Sequence, residues 1–214
     1  MEHIEKNINY ILNNNKYLNY FIIIQKKYKK YYYSKRINIP KSNEHTKKWR
    51  QNEKWYINGK KNECEIYQLN NIENITKKKC EKTFFRLNIY TYEFIQKKQP
   101  YKEINGFEWT EDFDGFFENN IKKYYFNLKF ICDEGGAQRR TLCLVYHFIY
   151  VQLNYLKKNN KTDIYFINIL DGDFSFKNLD KMKYILTKKE FNDVFKYIFI
   201  GDTYTFQNWW IKNN

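Results

Sequence analysis

Residues 107–118 read FEWTEDFDGFFE, and in an extended strand their side chains alternate between two faces. One face carries Phe107, Trp109, Phe113 and Phe117; the other carries Glu108, Thr110, Asp112 and Asp114. The carboxylates thus share one face while aromatic rings pack beneath them. The segment YYFNLKFIC that follows has Tyr124, Phe126, Leu128, Phe130 and Cys132 on an apolar face and Tyr125, Asn127 and Lys129 on the other. A turn over residues 118–123, for which Asn119 and Asn120 are well suited, lets the two strands pair as a meander. Asn127 and Lys129 then come beside Asp112 and Asp114. Acids, an amide and a lysine on a rigid sheet supply oxygen donors of the kind a hard divalent cation takes, with an ammonium alongside.

The elements around this cluster are legible from periodicity. DEGGAQRR turns sharply at Gly135-Gly136, and Gln138, Arg139 and Arg140 open a helix running to about residue 157. Its core stripe is Leu142, Val145, Ile149, Leu153 and Leu156. A buried strand over 163–170 ends at Asp171-Gly172-Asp173, a second helix carries Leu179, Met182 and Ile185, and a last strand covers 197–202. The order strand, strand, helix, strand, helix, strand predicts an α/β (α+β) fold, a mixed β-sheet flanked by helices. Upstream, residues 2–35 read as helical, and residues 49–94 as short strands and turns with a hairpin at Asn58-Gly59.

Charge divides the chain along the same line. Residues 1–105 hold 23 Lys or Arg against 10 Asp or Glu, whereas residues 106–214 hold 15 against 14. A codon bias towards Lys, Asn, Ile and Tyr, as in an AT-rich genome, enriches lysine throughout and does not explain this asymmetry. The basic half interleaves aromatics with its cations, as in KKWRQNEKWYINGKK, where Lys47, Lys48 and Arg50 stand out. Lysines attract phosphate and aromatic rings stack on bases, so nucleic acid is the expected partner. Cys64, Cys80, Cys132 and Cys143 form no CxxC pair and have no zinc spacing. They read as buried free thiols in a reducing, cytoplasmic setting. No apolar run approaches membrane-spanning length and no secretory signal follows Met1. The division expected is 1–83, a basic, aromatic DNA-binding elaboration of helical and β character, and 84–214, a catalytic core.

An acid near a strand end (Asp114), an acid-x-Lys-like triplet on the next strand (Asn127-Leu128-Lys129) and a helix leading to a further buried strand together resemble the PD-(D/E)xK nuclease superfamily. Within it they are most similar to the type II restriction endonucleases. The resemblance covers roughly residues 84–171. It implies a restriction-endonuclease-like core and Mg²⁺-dependent hydrolysis of DNA phosphodiester bonds by a sequence-specific endonuclease. The metal would neutralise phosphoryl oxygens and lower the pKa of an attacking water. Asp114 is then the central ligand, Asp112 or Glu108 assists, and the Asn127 side-chain oxygen completes the shell. Lys129 orients the water and stabilises charge in the transition state. Asn127 stands where the family has Asp or Glu, and its amide ligates without formal charge.

Gln138, Arg139 and Arg140 at a helix N-terminus are expected to meet the backbone of double-stranded DNA. The family also implies a homodimer, whose two-fold symmetry matches palindromic sites. For Asp171-Gly172-Asp173 two readings stand: a second metal site or cleft wall, and a simple strand-ending turn. His147 reads as a packed or surface residue, and Trp209 and Trp210 as packing residues. The rival to a nuclease is a catalytically inactive nucleic-acid-binding protein of the same fold, for which Asn127 is the main support. A small α/β enzyme acting at Asp171 and Asp202 is weaker, because no Gly-rich phosphate loop occurs.

Overall fold

The computed structural model describes residues 63–96, 109–131 and 134–213. The expected helix over 2–35, the hairpin at Asn58-Gly59, and Lys47, Lys48, Arg50 and Glu108 lie outside these residues. In chain order the elements are α1 (Glu63–Thr76), β1 (Phe85–Asn88), β2 (Phe94–Gln96), β3 (Thr110–Asp112), β4 (Gly115–Asn119) and β5 (Lys122–Phe130). There follow α2 (Gly136–Asn159), β6 (Ile164–Asp171), α3 (Asp173–Lys183), β7 (Ile198–Gly201) and α4 (Thr203–Asn213). Short 3-10 turns lead from α3 into β7. The mixed helix and strand content is that of an α+β protein. Among the described residues, no helix is long and apolar enough to cross a membrane.

The main sheet has the order β4-β5-β6-β7. β4 and β5 are antiparallel, joined by a two-residue turn in which Asn120 takes a left-handed φ of 57°. β6 and β7 then add in parallel, each reached through a crossover helix. Both faces are covered, so β6 and β7 read as near-continuous apolar runs. Alternation sorts the side chains cleanly. Tyr124, Phe126, Leu128, Ile167, Ile169 and Phe199 pack under α1 and α4, together with Trp210. Tyr125, Phe166, Leu170, Ile198 and Ile200 pack under α2 and α3. The predicted stripe of α2 is buried throughout, and the helix stops at Asn160, whose left-handed backbone donates its N–H to Leu156.

Two expectations change. The first concerns α1, which lies where short strands and turns were expected. ECEIYQLNNIENIT has modest helix propensity, with β-branched and Asn residues through its length. Leu69 and Ile72, however, fall on one face and pack onto β5 and α4, so tertiary burial holds the helix. Glu81 also bridges antiparallel to Phe116 of β4. The main sheet's packing therefore begins well upstream of residue 84.

The second correction concerns the run expected as one strand over 107–118, whose described part, from Trp109 on, is divided between two sheets. β3 belongs to a separate antiparallel sheet, of order β2-β1-β3, and β4 to the main sheet. The chain changes sheets at two successive residues: the Phe113 N–H bonds to Phe85 O at 2.9 Å, and the Asp114 N–H to Phe126 O at 2.8 Å. Phe113 consequently enters the α2 side, stacked on Phe166 at 5.2 Å, while Phe117 enters the opposite side. Gly115 follows immediately, and the change of sheet needs its missing side chain. A Cβ there would stand 2.6 Å from Cys80 Sγ and 3.1 Å from Leu69.

Gly115→Ala is therefore expected to cost about 1–3 kcal/mol by overpacking. The added Cys80→Ala removes the nearest obstruction, so the double variant should be more stable than the two single losses, added together, allow. Urea unfolding of the four proteins checks this; strict additivity would contradict it.

Candidate functional site

The change of sheet fixes Asp114 at the mouth of β4. Its Oδ2 accepts the Leu128 N–H at 2.7 Å and Lys129 Nζ at 3.3 Å. The first β4–β5 pair is Gly115 with Phe126, so this carboxylate serves a β5 amide beyond the point where β4 begins. The pair lies at the edge of a cavity of about 320 Å³. Cys64 and Gln68 of α1 form one wall, the end of β5 the floor, and Ala137, Gln138 and Thr141 of α2 the other wall. Asp114 and Lys129 side chains are 23% and 31% exposed, enough to be reached and little enough to feel desolvation.

Burial pushes the Asp114 carboxyl above the usual aspartate range; the charge of Lys129 and the Leu128 amide oppose it, and Glu65 adds to it. Glu111 of β3 is also raised, again mainly by burial, with Lys129 opposing, Asp112 and Asp114 adding and His147 opposing. Two carboxylates reluctant to ionise are thus electrostatically coupled to one lysine. This is the pattern a functional site leaves more often than a solvated strand face.

Of the residues expected to act together, Asp114, Lys129 and Gln138 line one cavity. Asp112 goes elsewhere. It pairs across β3–β1 with Arg86, Oδ1 to Nε at 2.9 Å, because β3 belongs to the other sheet. Asn127 also turns away. It is 2% exposed and donates from Nδ2 to Asn168 Oδ1 at 3.0 Å on the adjoining strand. Asn168 exchanges hydrogen bonds with Gln152 of α2, at 2.8 and 3.2 Å, which makes a buried amide cluster beneath that helix. The amide nitrogen of Asn127 serves this cluster, and the residue does not line the Asp114 cavity. Arg139 faces a different groove, between α2 and α3, and Arg140 is exposed on the helix.

Asp171 is fully buried. Its Oδ2 accepts Gln68 Nε2 at 2.9 Å and Thr203 Oγ1 at 2.7 Å, and its Oδ1 accepts the Thr203 N–H at 2.9 Å. Gln68 also donates to Lys129 O at 3.2 Å, so this carboxylate joins α1, α4 and the end of β5. Gly172 turns with φ of 94°, and a Cβ there would collide with the Ile131 backbone. Asp202 caps α4, accepting the Thr205 N–H at 2.8 Å. His147 is exposed and lies against Tyr150, and Trp210 is packed as expected. Cys80 is buried, its thiol pushed up to about 12 mainly by desolvation, whereas Cys143 is exposed.

The sequence reading passed over Glu65 and Glu111. Glu111 carried a signal: it alternates with Trp109 and Phe113, an acid on a core-facing side, where burial is costly without a partner. Glu65 became visible only once α1 was known to be a helix. Among the described residues, no group of three or more His, Cys, Asp or Glu side chains converges as a metal site. Comparison with family models, with curated proteins and with solved structures finds no match to this chain.

A raised carboxyl pKa means that ionisation costs more in the folded chain than in the unfolded one. The corresponding stability is complete below the ordinary aspartate value and is lost as pH rises through the raised one. Asp114→Asn, a neutral mimic, should match the wild type below about pH 4. It should then become the more stable protein by roughly 0.5–2 kcal/mol towards neutrality. Urea unfolding across pH tests this, and a wild type that is the more stable at pH 7 would contradict it.

Proposed function

We propose that the chain is a Mg²⁺-dependent endonuclease of the PD-(D/E)xK type, hydrolysing DNA phosphodiester bonds at the Asp114–Lys129 cavity. Its most specific form is a type II restriction-type, sequence-specific cleaver of double-stranded DNA that works as a homodimer. The observation that carries the reading is the Asp114–Lys129 pair: an acid opening one strand, held through one oxygen by the amide and ammonium of its neighbour. Further support comes from the strand pairing, antiparallel then parallel across α2, and from a second carboxylate, Glu111, coupled to the same lysine.

The donor set suits Mg²⁺ in a particular way. This ion typically keeps several waters and binds through one or two carboxylates plus substrate phosphate, so a cage of three acids is not required. Asp114, the carboxylate that lines the cavity, would hold it, and the cost of ionising this desolvated group is what a divalent charge relieves. When bound, the ion neutralises phosphoryl oxygen and acidifies a water. Asp114 fixes the end of β5 and aims Lys129. The Lys129 ammonium stabilises negative charge on the phosphoryl group as the nucleophile adds. The first turn of α2 contributes backbone N–H groups that receive no side-chain cap from Gly135, and no acid sits in that turn. Gln138 adds a side chain to the same cavity wall.

A second reading, a binding protein of this fold without hydrolysis, is favoured by Asn127, whose amide is committed to the buried cluster. The two are separated by purified protein on large unmethylated DNA with and without Mg²⁺. The nuclease reading predicts Mg²⁺-dependent cleavage reduced on the order of 10²-fold or more in Asp114→Ala and Lys129→Ala. DNA that is retarded on a gel equally well in EDTA, never cut, and indifferent to Asp114→Ala would establish the binding protein instead.

A further inference from the structure

A second concavity of about 820 Å³ lies between α2 and α3, within the usual size range of ligand sites. Its floor is apolar, formed by Leu142, Phe174 and Met182. Its rim is cationic: Arg139 stands on the α2 side, and Lys177 and Lys181, one helical turn apart, stand on the α3 side. Among the described residues the lining holds one carboxylate, Glu134, which bonds to Lys177 at 2.8 Å, against three cations. Tyr146 adds an aromatic wall one turn beyond Leu142.

The groove and the Asp114 cavity share one helix. Ala137, Gln138 and Thr141 line the cavity, while Arg139, Leu142, Cys143 and Tyr146 line the groove. The first turns of α2 stand between them, a separation of about one helix diameter, ~10 Å. A polymer of phosphates bound at the cavity must continue past this turn. An anion with an apolar, planar body suits a floor of this kind ringed by cations, and a nucleotide has that form once its base is unpaired.

Resting on the function proposed above, we infer that the α2–α3 groove receives an unpaired nucleotide of the bound strand. The base lies on Leu142, Phe174 and Met182, and the flanking phosphates face Arg139 and Lys181. Binding then couples base exposure to occupation of the Asp114 cavity, because both sites act on the same turn of helix.

Two thiols report on the two sites separately: Cys143 lines the groove and Cys64 lines the Asp114 cavity. The test measures the rate of iodoacetamide alkylation at each cysteine by peptide mass spectrometry, with Mg²⁺ and a short oligothymidylate. The buried Cys80 serves as the unreactive control. The expected result is several-fold slower alkylation of Cys143, and markedly weaker protection by an abasic strand of equal length. Lys181→Ala, on an exposed position, should weaken oligothymidylate binding several-fold and lower the salt slope of log affinity by about 1. Protection of Cys143 that is equal for the abasic strand overturns the base site. Slowed alkylation at Cys64 with an unchanged rate at Cys143 overturns the groove while leaving the nuclease reading intact. Protection of Cys143 by oligothymidylate upholds the groove, and the nuclease reading is judged separately by Mg²⁺-dependent cleavage of large double-stranded DNA, whose absence would sink it while leaving the groove. An oligothymidylate that does not bind at all overturns the groove, and leaves the nuclease reading to the cleavage assay on double-stranded DNA.

Discussion

Two adjacent backbone amides decide where the Asp114–Lys129 pair is assembled. Phe113 gives its N–H to the small sheet and Asp114 gives its own to the main sheet, so the chain cannot slide at this point without breaking both ladders. Everything at the site inherits that constraint. The Phe113 ring becomes a peg between Tyr125, Phe148 and Phe166, at centroid distances of 5.1–5.4 Å. On the next residue the carboxylate is turned to the end of β5, where it fixes the backbone of Leu128 and the ammonium of Lys129. An apolar anchor and a carboxylate on successive residues give that carboxylate a rigid origin at the sheet edge.

Two kinds of buried polar group support the sheet, and they behave differently. The amides of Asn127, Asn168 and Gln152 satisfy one another without charge, so they can sit under α2 at modest cost and pin β5 against β6. Asp171 is a fully buried carboxyl instead, and hydrogen bonds from Gln68 and Thr203 offset its burial. Asp114 and Glu111 are set apart from both. Their ionisation is opposed mainly by burial and favoured by Lys129, with the Leu128 amide adding at Asp114 and His147 at Glu111.

Much of the main sheet could be read from alternation alone. β5, β6 and α2 carry long, unambiguous patterns, and the buried stripe of α2 matches residue for residue. Asp114 and Lys129 were also legible, since their neighbourhood follows from strand order. What misled was the run of residues 107–118, whose period of two continues across a change of sheet. The alternation gives no sign of the break at Gly115, because the glycine is required by Cys80 and Leu69, residues more than thirty positions upstream. The same long-range cause placed Asp112 on Arg86, hid Glu111 among the aromatics, and let α1 form despite a weak intrinsic preference. Asn127 shared a face with Lys129 as expected. The partner that claims its amide lies on β6, more than forty residues downstream, and no local pattern announces it.

The central proposal is that the desolvated Asp114 carboxylate beside Lys129 receives a divalent cation. Crystals grown with Mn²⁺ in place of Mg²⁺ test it most directly, through the anomalous scattering of the ion. The account predicts a difference peak about 2.0–2.3 Å from an Asp114 carboxylate oxygen, lost in Asp114→Asn. An occupied manganese site elsewhere on the chain, with no peak at Asp114, would contradict it.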